Sequence, residues 1–342
     1  MKRYDCALTR SIVQPVESVD RVTLQAISFS IVGRYVDPDA QESLLSESLR
    51  REGFAVAEKQ EEADVLIVLD LTIKLLVAAI RRRFARKKTY LIIQEPSVVF
   101  PFEHWGILRI LFTERFKIGF GTRRGWMGVQ YPQNLKLFDS APSEGYRRAA
   151  LINSNKFSLV RGELYSLRRE VSQLDSVDTF GSGWQPLARL GFKECFKLVL
   201  DLLASFKLPS FDLFRTMGIT AANPLGQVRD KLLTLSEYKV SVAIENSQEY
   251  MTEKLLDPIL AGSIPVYVGD PLQLDTFPAG LIVVSDPSVR ALGIAISEAL
   301  EMDFDKWLDV RRAWLADTQF SDLYRDSIVW SRVAQRICNP LF

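Results

Sequence analysis

Three polar residues that end an apolar run, Glu245-Asn246-Ser247, stand just before Thr252-Glu253-Lys254, where a helical pattern begins. The run itself, VSVAIE, reads as a buried strand, and ligands of parallel sheets bind beyond the carboxyl ends of the strands. Thr252 is a helix N-cap by type, and the free N–H groups of the first turn then point into the same crevice. A lysine in that turn opposes the helix dipole, so Lys254 makes electrostatic sense when an anion sits there. Glu253 beside it can accept hydrogen bonds from sugar hydroxyls. The combination suits a ligand carrying phosphates and a sugar, although capping alone also accounts for Thr252 and Glu253. Pro258 lacks the N–H that would bond back to residue 254, so this helix must start late, bend or be short.

The elements that position these groups follow an α/β alternation. RVTLQAISFSIV, FAVAE, DVLIVLD and TYLIIQE read as strands, with DAQESLLSESLRRE as a helix whose apolar residues recur at helical spacing. From about residue 146 the pattern restarts: AALINS, SVDTFGSG, VSVAIE, SIPVYVG and LIVVSD are strands, RGELYSLRREV is a helix, and the C-terminal end is helical. Such alternation implies βαβ units on mostly parallel sheets. Two α/β domains are expected, 1–145 and 146–320, with a C-terminal helix in 321–342 able to pack back on the first. Residues 184–230 fit the alternation poorly and read as an insertion: an apolar helix, then a loop.

Composition narrows the chemistry. The chain has 342 residues, 47% hydrophobic and 25% charged, with a net charge of +1, a folded profile that gives no reason to expect nucleic acid as a partner. Three cysteines lie far apart without a CxxC pair, which suits a reducing compartment and argues against structural zinc. The single histidine, His104, argues against a His-based metal centre or a Ser-His-Asp triad. No N-terminal run has the length of a signal peptide or membrane anchor. IKLLVAAIRRRFARKK, residues 73–88, gathers seven Lys and Arg around a short apolar stretch; it is either a solvated helix face or a basic surface resting on anionic lipid.

The segment YKVSVAIENSQEYMTEKLLDPILAGSIPVYVGD resembles the signature of the α-1,3-fucosyltransferase family (glycosyltransferase family 10). Tyr238-Lys239, Glu245-Asn246-Ser247, Tyr250 to Lys254 and Ala261 to Gly269 stand in the family's order. Upstream, INSNKFSLVRGELYSL is similar to the family strand ending in Ser154-Asn155, with Arg161 seven residues after the serine, and VDTFG follows. The likeness over the first 140 residues is weaker, and the loop from Ser247 to Tyr250 is about two residues shorter than in the family.

The resemblance implies a GT-B architecture, two Rossmann-like domains facing across a cleft, with the acceptor glycan on the first domain and GDP-fucose on the second. By match, Arg161 and Lys254 pair with the diphosphate, Glu253 holds the ribose, and Asn246 and Tyr250 approach the fucose. Ser154, Asn155 and Glu245 complete the expected donor site. No DxD pair stands in the matched region, so no metal or other cofactor is expected. An inverting transfer needs a general base. The family's base is a carboxylate just after an N-domain strand, which is Glu95 in TYLIIQEPSVVFP; a loop cap before Pro96 also explains it, and Glu103, His104 and Glu245 are the alternatives. Arg123, Arg124 and Trp126 in FKIGFGTRRGWMG could line the cleft, but they are equally ordinary as surface arginines and a core tryptophan. The expected protein is a soluble bacterial-type glycosyltransferase acting in surface polysaccharide or lipopolysaccharide synthesis. Its expected place is cytoplasmic, with peripheral membrane contact through residues 74–88. The readings held beside it are a transferase using another GDP-sugar and a non-catalytic nucleotide-sugar-binding protein.

Overall fold

The computed structural model describes residues 27–33, 44–94, 106–122, 125–135, 148–161, 163–184, 192–205, 208–210, 224–270 and 274–339. The first half runs β1 (Ser28–Gly33), α1 (Leu44–Arg51), β2 (Ala55–Val56), β3 (Val65–Leu69), α2 (Ile73–Phe84), β4 (Lys88–Ile93), α3 (Ile107–Leu111), β5 (Glu114–Ile118) and β6 (Met127–Val129). Its six strands form one parallel sheet in the order β2-β1-β3-β4-β5-β6. Central strands of such a sheet are covered on both faces, which is why VLIVL of β3 and YLII of β4 are continuous, buried and largely apolar. Helix α1 supplies Leu45 and Leu49, one turn apart, to the core. FAVAE yields only the two-residue edge strand β2.

The second half runs β7 (Ala149–Ile152), α4 (Tyr165–Val171), β8 (Val177–Phe180), α5 (Phe192–Ser205), α6 (Lys231–Ser236), β9 (Val240–Ile244), α7 (Glu253–Ala261), β10 (Ile264–Val268) and β11 (Ile282–Val283). Helices α8 (Val289–Glu301), α9 (Phe304–Ala316), α10 (Thr318–Ser321) and α11 (Asp326–Cys338) complete it. The sheet is again parallel, in the order β11-β10-β9-β7-β8. Helix α4 begins at Tyr165 rather than Arg161, because Glu163 is drawn into an antiparallel bridge with Ser247. Helix α7 is short, with Pro258 in its last turns and Gly262 closing it at φ 97°. Within 184–230, residues 192–205 form α5.

The chain leaves β7 in one direction toward β8, while β9, β10 and β11 build in the other. The topological switch therefore falls between β7 and β9, where a crevice opens. Those strands pair only at Ala149–Val240 and Ala150–Ser241, so they part toward their carboxyl ends.

Contacts at α11 and across the cleft floor are among those that hold the halves together. Helix α11 returns to the first domain, where Val329, Val333, Ala334 and Ile337 join the core of Phe29, Leu45, Leu49 and Phe116. The Tyr90 hydroxyl donates to the Ile337 carbonyl at 3.1 Å, and Arg336 pairs with Glu114 at 2.9 Å. Across the cleft floor, the Met251 N–H donates to the Gly119 carbonyl at 3.0 Å. Gly119 has φ 76°, and a Cβ there would stand 2.1 Å from the Met251 carbonyl oxygen. Gly119→Ala should therefore cost at least about 2 kcal/mol from left-handed strain plus backbone clash. Urea denaturation reads this directly, and an unchanged midpoint would refute the tight approach.

Candidate functional site

A cavity of about 650 Å³ opens between the two domains. Strand ends supply much of its lining: Asp70 after β3 and Gln94 after β4 on one wall, Asn153 and Ser154 after β7, Gly181 and Ser182 after β8, and Asn246 after β9 on the other. Helix starts add Lys231 of α6 and Thr252, Glu253 and Lys254 at the start of α7, and Tyr131, Lys156, Arg168 and Tyr250 line it as well.

The α7 end is built around Glu245, which is fully buried. Thr252 is the N-cap, its Oγ1 accepting from the Lys254 N–H at 3.3 Å. The Glu245 carboxylate in turn accepts from the Thr252 N–H at 2.7 Å, from its hydroxyl at 2.9 Å, from Lys254 Nζ at 3.3 Å and from the Tyr267 hydroxyl at 3.3 Å. Burial pushes the Glu245 carboxyl up and the Lys254 charge pulls it back. Glu245 is thus the brace under the helix start, and it does not line the cavity.

Lys254 Nζ also lies 3.1 Å from Thr252 Oγ1 and 3.9 Å from Glu253. Lys231 makes a 2.6 Å ion pair with Asp257 and stands 3.7 Å from Glu253. Burial alone would raise the Glu253 carboxyl. The lysines 254 and 231, with a hydrogen bond from the Tyr131 hydroxyl, outweigh it and bring the group down to about 2. Glu253 is therefore a carboxylate at any working pH. Its folded value lies below the ordinary 4.5, so its contribution to stability is present above pH 4.5 and is lost as pH falls toward 2. The side chain is 34% exposed, so after solvent screening the contribution is about 1 kcal/mol. Glu253→Gln should lower the melting temperature at pH 6 to 7, with the gap to wild type closing in acid. A gap that widens in acid would contradict the sign.

Arg168 of α4 reaches the end of β9 from below. It is 1% exposed and donates to the Ile244 carbonyl at 2.7 Å and to Asn246 Oδ1 at 2.8 Å, which fixes the amide that faces the cavity. Its Nε is buried without a hydrogen-bond partner. Arg169 next to it holds the β7 loop: Nε donates to Asn155 Oδ1 at 2.5 Å, and Nη2 to the Lys156 carbonyl. Burial and the neighbouring Arg168 bring Arg169 down to about 10.

Of the residues singled out in the sequence, Ser154, Asn246, Tyr250, Glu253 and Lys254 line the cavity. Asn155 is turned into the loop, its Nδ2 donating to the Gly183 carbonyl at 2.7 Å, and Arg161 is exposed; neither lines the cavity. Trp126 packs against the first domain's core under Arg115, 5.0 Å from ring to guanidinium. Glu95, Glu103, His104, Arg123 and Arg124 lie outside the described residues. Gln94, which precedes Glu95, lines the cavity, and its carbonyl accepts from the Tyr250 hydroxyl at 2.5 Å. Among the described residues no group of three or more His, Cys, Asp or Glu is placed to share a metal ion.

The sequence reading missed Lys231, Lys156, Arg168, Tyr131 and Asp70. Lys231 carried a legible signal: it directly follows the N-cap Asp230, the same unfavourable placement that pointed to Lys254. Arg168 carried none, because an arginine in an amphipathic helix reads as surface.

No family model matches the chain. GDP-fucose protein O-fucosyltransferase 3 of Gallus gallus is 30% identical over 82 residues, 22% of this chain and 17% of its own length. A fucosyltransferase-like protein of Arabidopsis thaliana is 50% identical over 44 residues, 12% of this chain and 9% of its own. The chain thus spans less than a fifth of the length of either curated relative. Among solved structures, Anabaena HepE in complex with UDP and glucose superposes with a TM-score of 0.53 at 12% identity, over 90% of this chain and 91% of that one. The fold is GT-B: two Rossmann-like domains with the cavity between them.

Proposed function

We propose that this protein is an inverting glycosyltransferase that moves fucose from GDP-fucose to a hydroxyl of a glycan acceptor. The observation that carries the reading is the cavity at the switch point of the second sheet, with Lys254, Lys231, Lys156 and Arg168 in its lining. Fixed cations there meet the charge that develops on a departing nucleoside diphosphate. The short fucosyltransferase-like matches support the sugar, and the neighbour holding UDP and glucose supports a nucleotide-sugar donor.

In this reading Lys254 faces the diphosphate from the helix start, and Glu253, ionised throughout, accepts from the ribose hydroxyls. Ser154 and Asn246 border the phosphates, and Tyr250 stands between donor and acceptor walls. The acceptor hydroxyl gives its proton to Glu95 as its oxygen bonds to the anomeric carbon. The bond from that carbon to the β-phosphate oxygen breaks, and GDP leaves with the electron pair. No metal or other cofactor takes part, and the acceptor belongs to bacterial surface polysaccharide or lipopolysaccharide. For the second diphosphate cation the family resemblance names Arg161, while the cavity offers Lys156 and Lys231.

GDP release from the purified chain, with GDP-fucose and a panel of acceptor glycans, is the test. Acceptor-dependent release is expected, with Lys156→Ala and Arg161→Ala compared to decide the second cation. Release only from another nucleotide sugar would move the donor and keep the transferase. Tight GDP binding without turnover on any donor would make this a binding protein.

A further inference from the structure

A second surface stands apart from the cleft. Helix α2 turns Leu75, Leu76, Ala79 and Ile80 toward the first domain's core. Its opposite stripe, Lys74, Val77, Arg81 and Phe84, recurs at three- and four-residue steps and is exposed along its whole length. Phe84 is 86% exposed at the last turn. Arg83, Arg86 and Lys88 surround it, all exposed. The neighbouring α3 adds exposed Ile107, Ile110 and Arg109.

Two of the cations in this stretch are structural. Arg82 is buried and donates to the carbonyls of Ala63 and Asp64, and Lys87 donates to those of Glu61 and Ala63. The other five between residues 74 and 88 are exposed. No Asp or Glu stands in residues 73–93 or 106–113; the acids of the 58–64 turn lie by Arg82 and Lys87, and among the described residues none of the five exposed cations makes an ion pair. A solvated helix face ordinarily mixes both signs and does not carry a bare phenylalanine at its end. Large apolar side chains interspersed with uncompensated cations are the composition of an interfacial helix, with apolar groups entering the acyl boundary and cations meeting lipid phosphates.

We propose that the α2–α3 face docks on an anionic lipid bilayer, with Phe84, Val77 and Ile110 entering the interface and Arg81, Arg83, Arg86 and Lys88 lying against the headgroups. Charge complementarity selects this occupant, because a second copy would set the same cations against each other. The face is also fused to β3 and β4, whose carboxyl ends carry Asp70 and Gln94 of the cavity, so docking holds the cleft at a fixed height above the membrane.

Co-sedimentation of the full chain with phosphatidylcholine vesicles, with and without about 30 mol% phosphatidylglycerol, tests it. Binding is expected only to the anionic vesicles, weakening steeply as salt is raised. Arg81→Glu/Arg83→Glu/Arg86→Glu should lower partitioning on the order of 100-fold, and Phe84→Ser several-fold, with nucleotide affinity and melting temperature kept in both. The salt series on the unsubstituted chain stands even where a variant folds poorly. Equal binding to neutral vesicles, no binding to either, or full binding by the triple variant overturns the proposal. So does a dimer in sedimentation equilibrium that Phe84→Ser splits, which would seat a second copy on the face.

Discussion

Lys254→Ala should lower kcat/KM for the donor by about 10²–10³-fold, the loss typical when a fixed charge or donor facing the developing negative charge is removed. The same substitution should also destabilise the fold. Lys254 Nζ is the cation 3.3 Å from the carboxylate of fully buried Glu245. Without it, Glu245 keeps the hydrogen bonds of Thr252 and Tyr267 but carries its charge uncompensated, at a cost of about 2–4 kcal/mol. These effects come apart in a double-substitution cycle. Glu245→Gln on top of Lys254→Ala should restore most of the stability, since the buried charge is then gone, and none of the activity. Urea midpoints and GDP-release rates on the four proteins decide it. If the double variant regains activity along with stability, Lys254 acts through the fold alone, and its assignment to the diphosphate fails.

The Glu245 cluster also shows how far a sequence carries this kind of site. The ends of β7, β9 and β10 are legible because each is a short, mostly apolar run that gives way to polar residues, a pattern demanded by burial on both faces of a parallel sheet. Thr252, Glu253 and Lys254 are legible because helix starts have strong chemical rules that lysine breaks. Spacing alone does not tell whether a polar residue at a strand end faces the cleft or turns inward. Asn155 and Glu245 turn inward because Arg169 and Thr252 need acceptors there. Arg168 and Tyr131 reach the site through tertiary packing, from a helix and a loop with no local signature. Asp70 is of this kind as well: φ 54° at the end of β3 lets its Oδ1 accept the Gln94 N–H at 3.0 Å, tying two strand ends into one wall.

That wall gives the second large prediction its ground. Glu95 follows Gln94 in the chain, and Gln94 is held from both sides, by Asp70 on its own domain and by Tyr250 from the second domain. Glu95→Gln should cut kcat by about 10²–10⁴-fold, the usual contribution of a positioned general base, and leave the dissociation constant for GDP within a few-fold of wild type. The amide keeps the size and shape of the carboxyl, exchanges one acceptor oxygen for an NH2 donor, and removes its capacity to take a proton. The acid limb of the wild-type kcat profile should therefore vanish in the variant. A base held loosely and one held by this wall differ in a further readout. Tyr250→Phe removes the hydroxyl that donates to the Gln94 carbonyl, so it should lower kcat several-fold in wild type and hardly at all in the Glu95→Gln background. Equal effects of Tyr250→Phe in the two backgrounds would mean that the tyrosine acts on the donor and not on the base. Full turnover by Glu95→Gln would move proton transfer to another carboxylate, and Asp70, on the same wall of the cavity, would be the next to substitute.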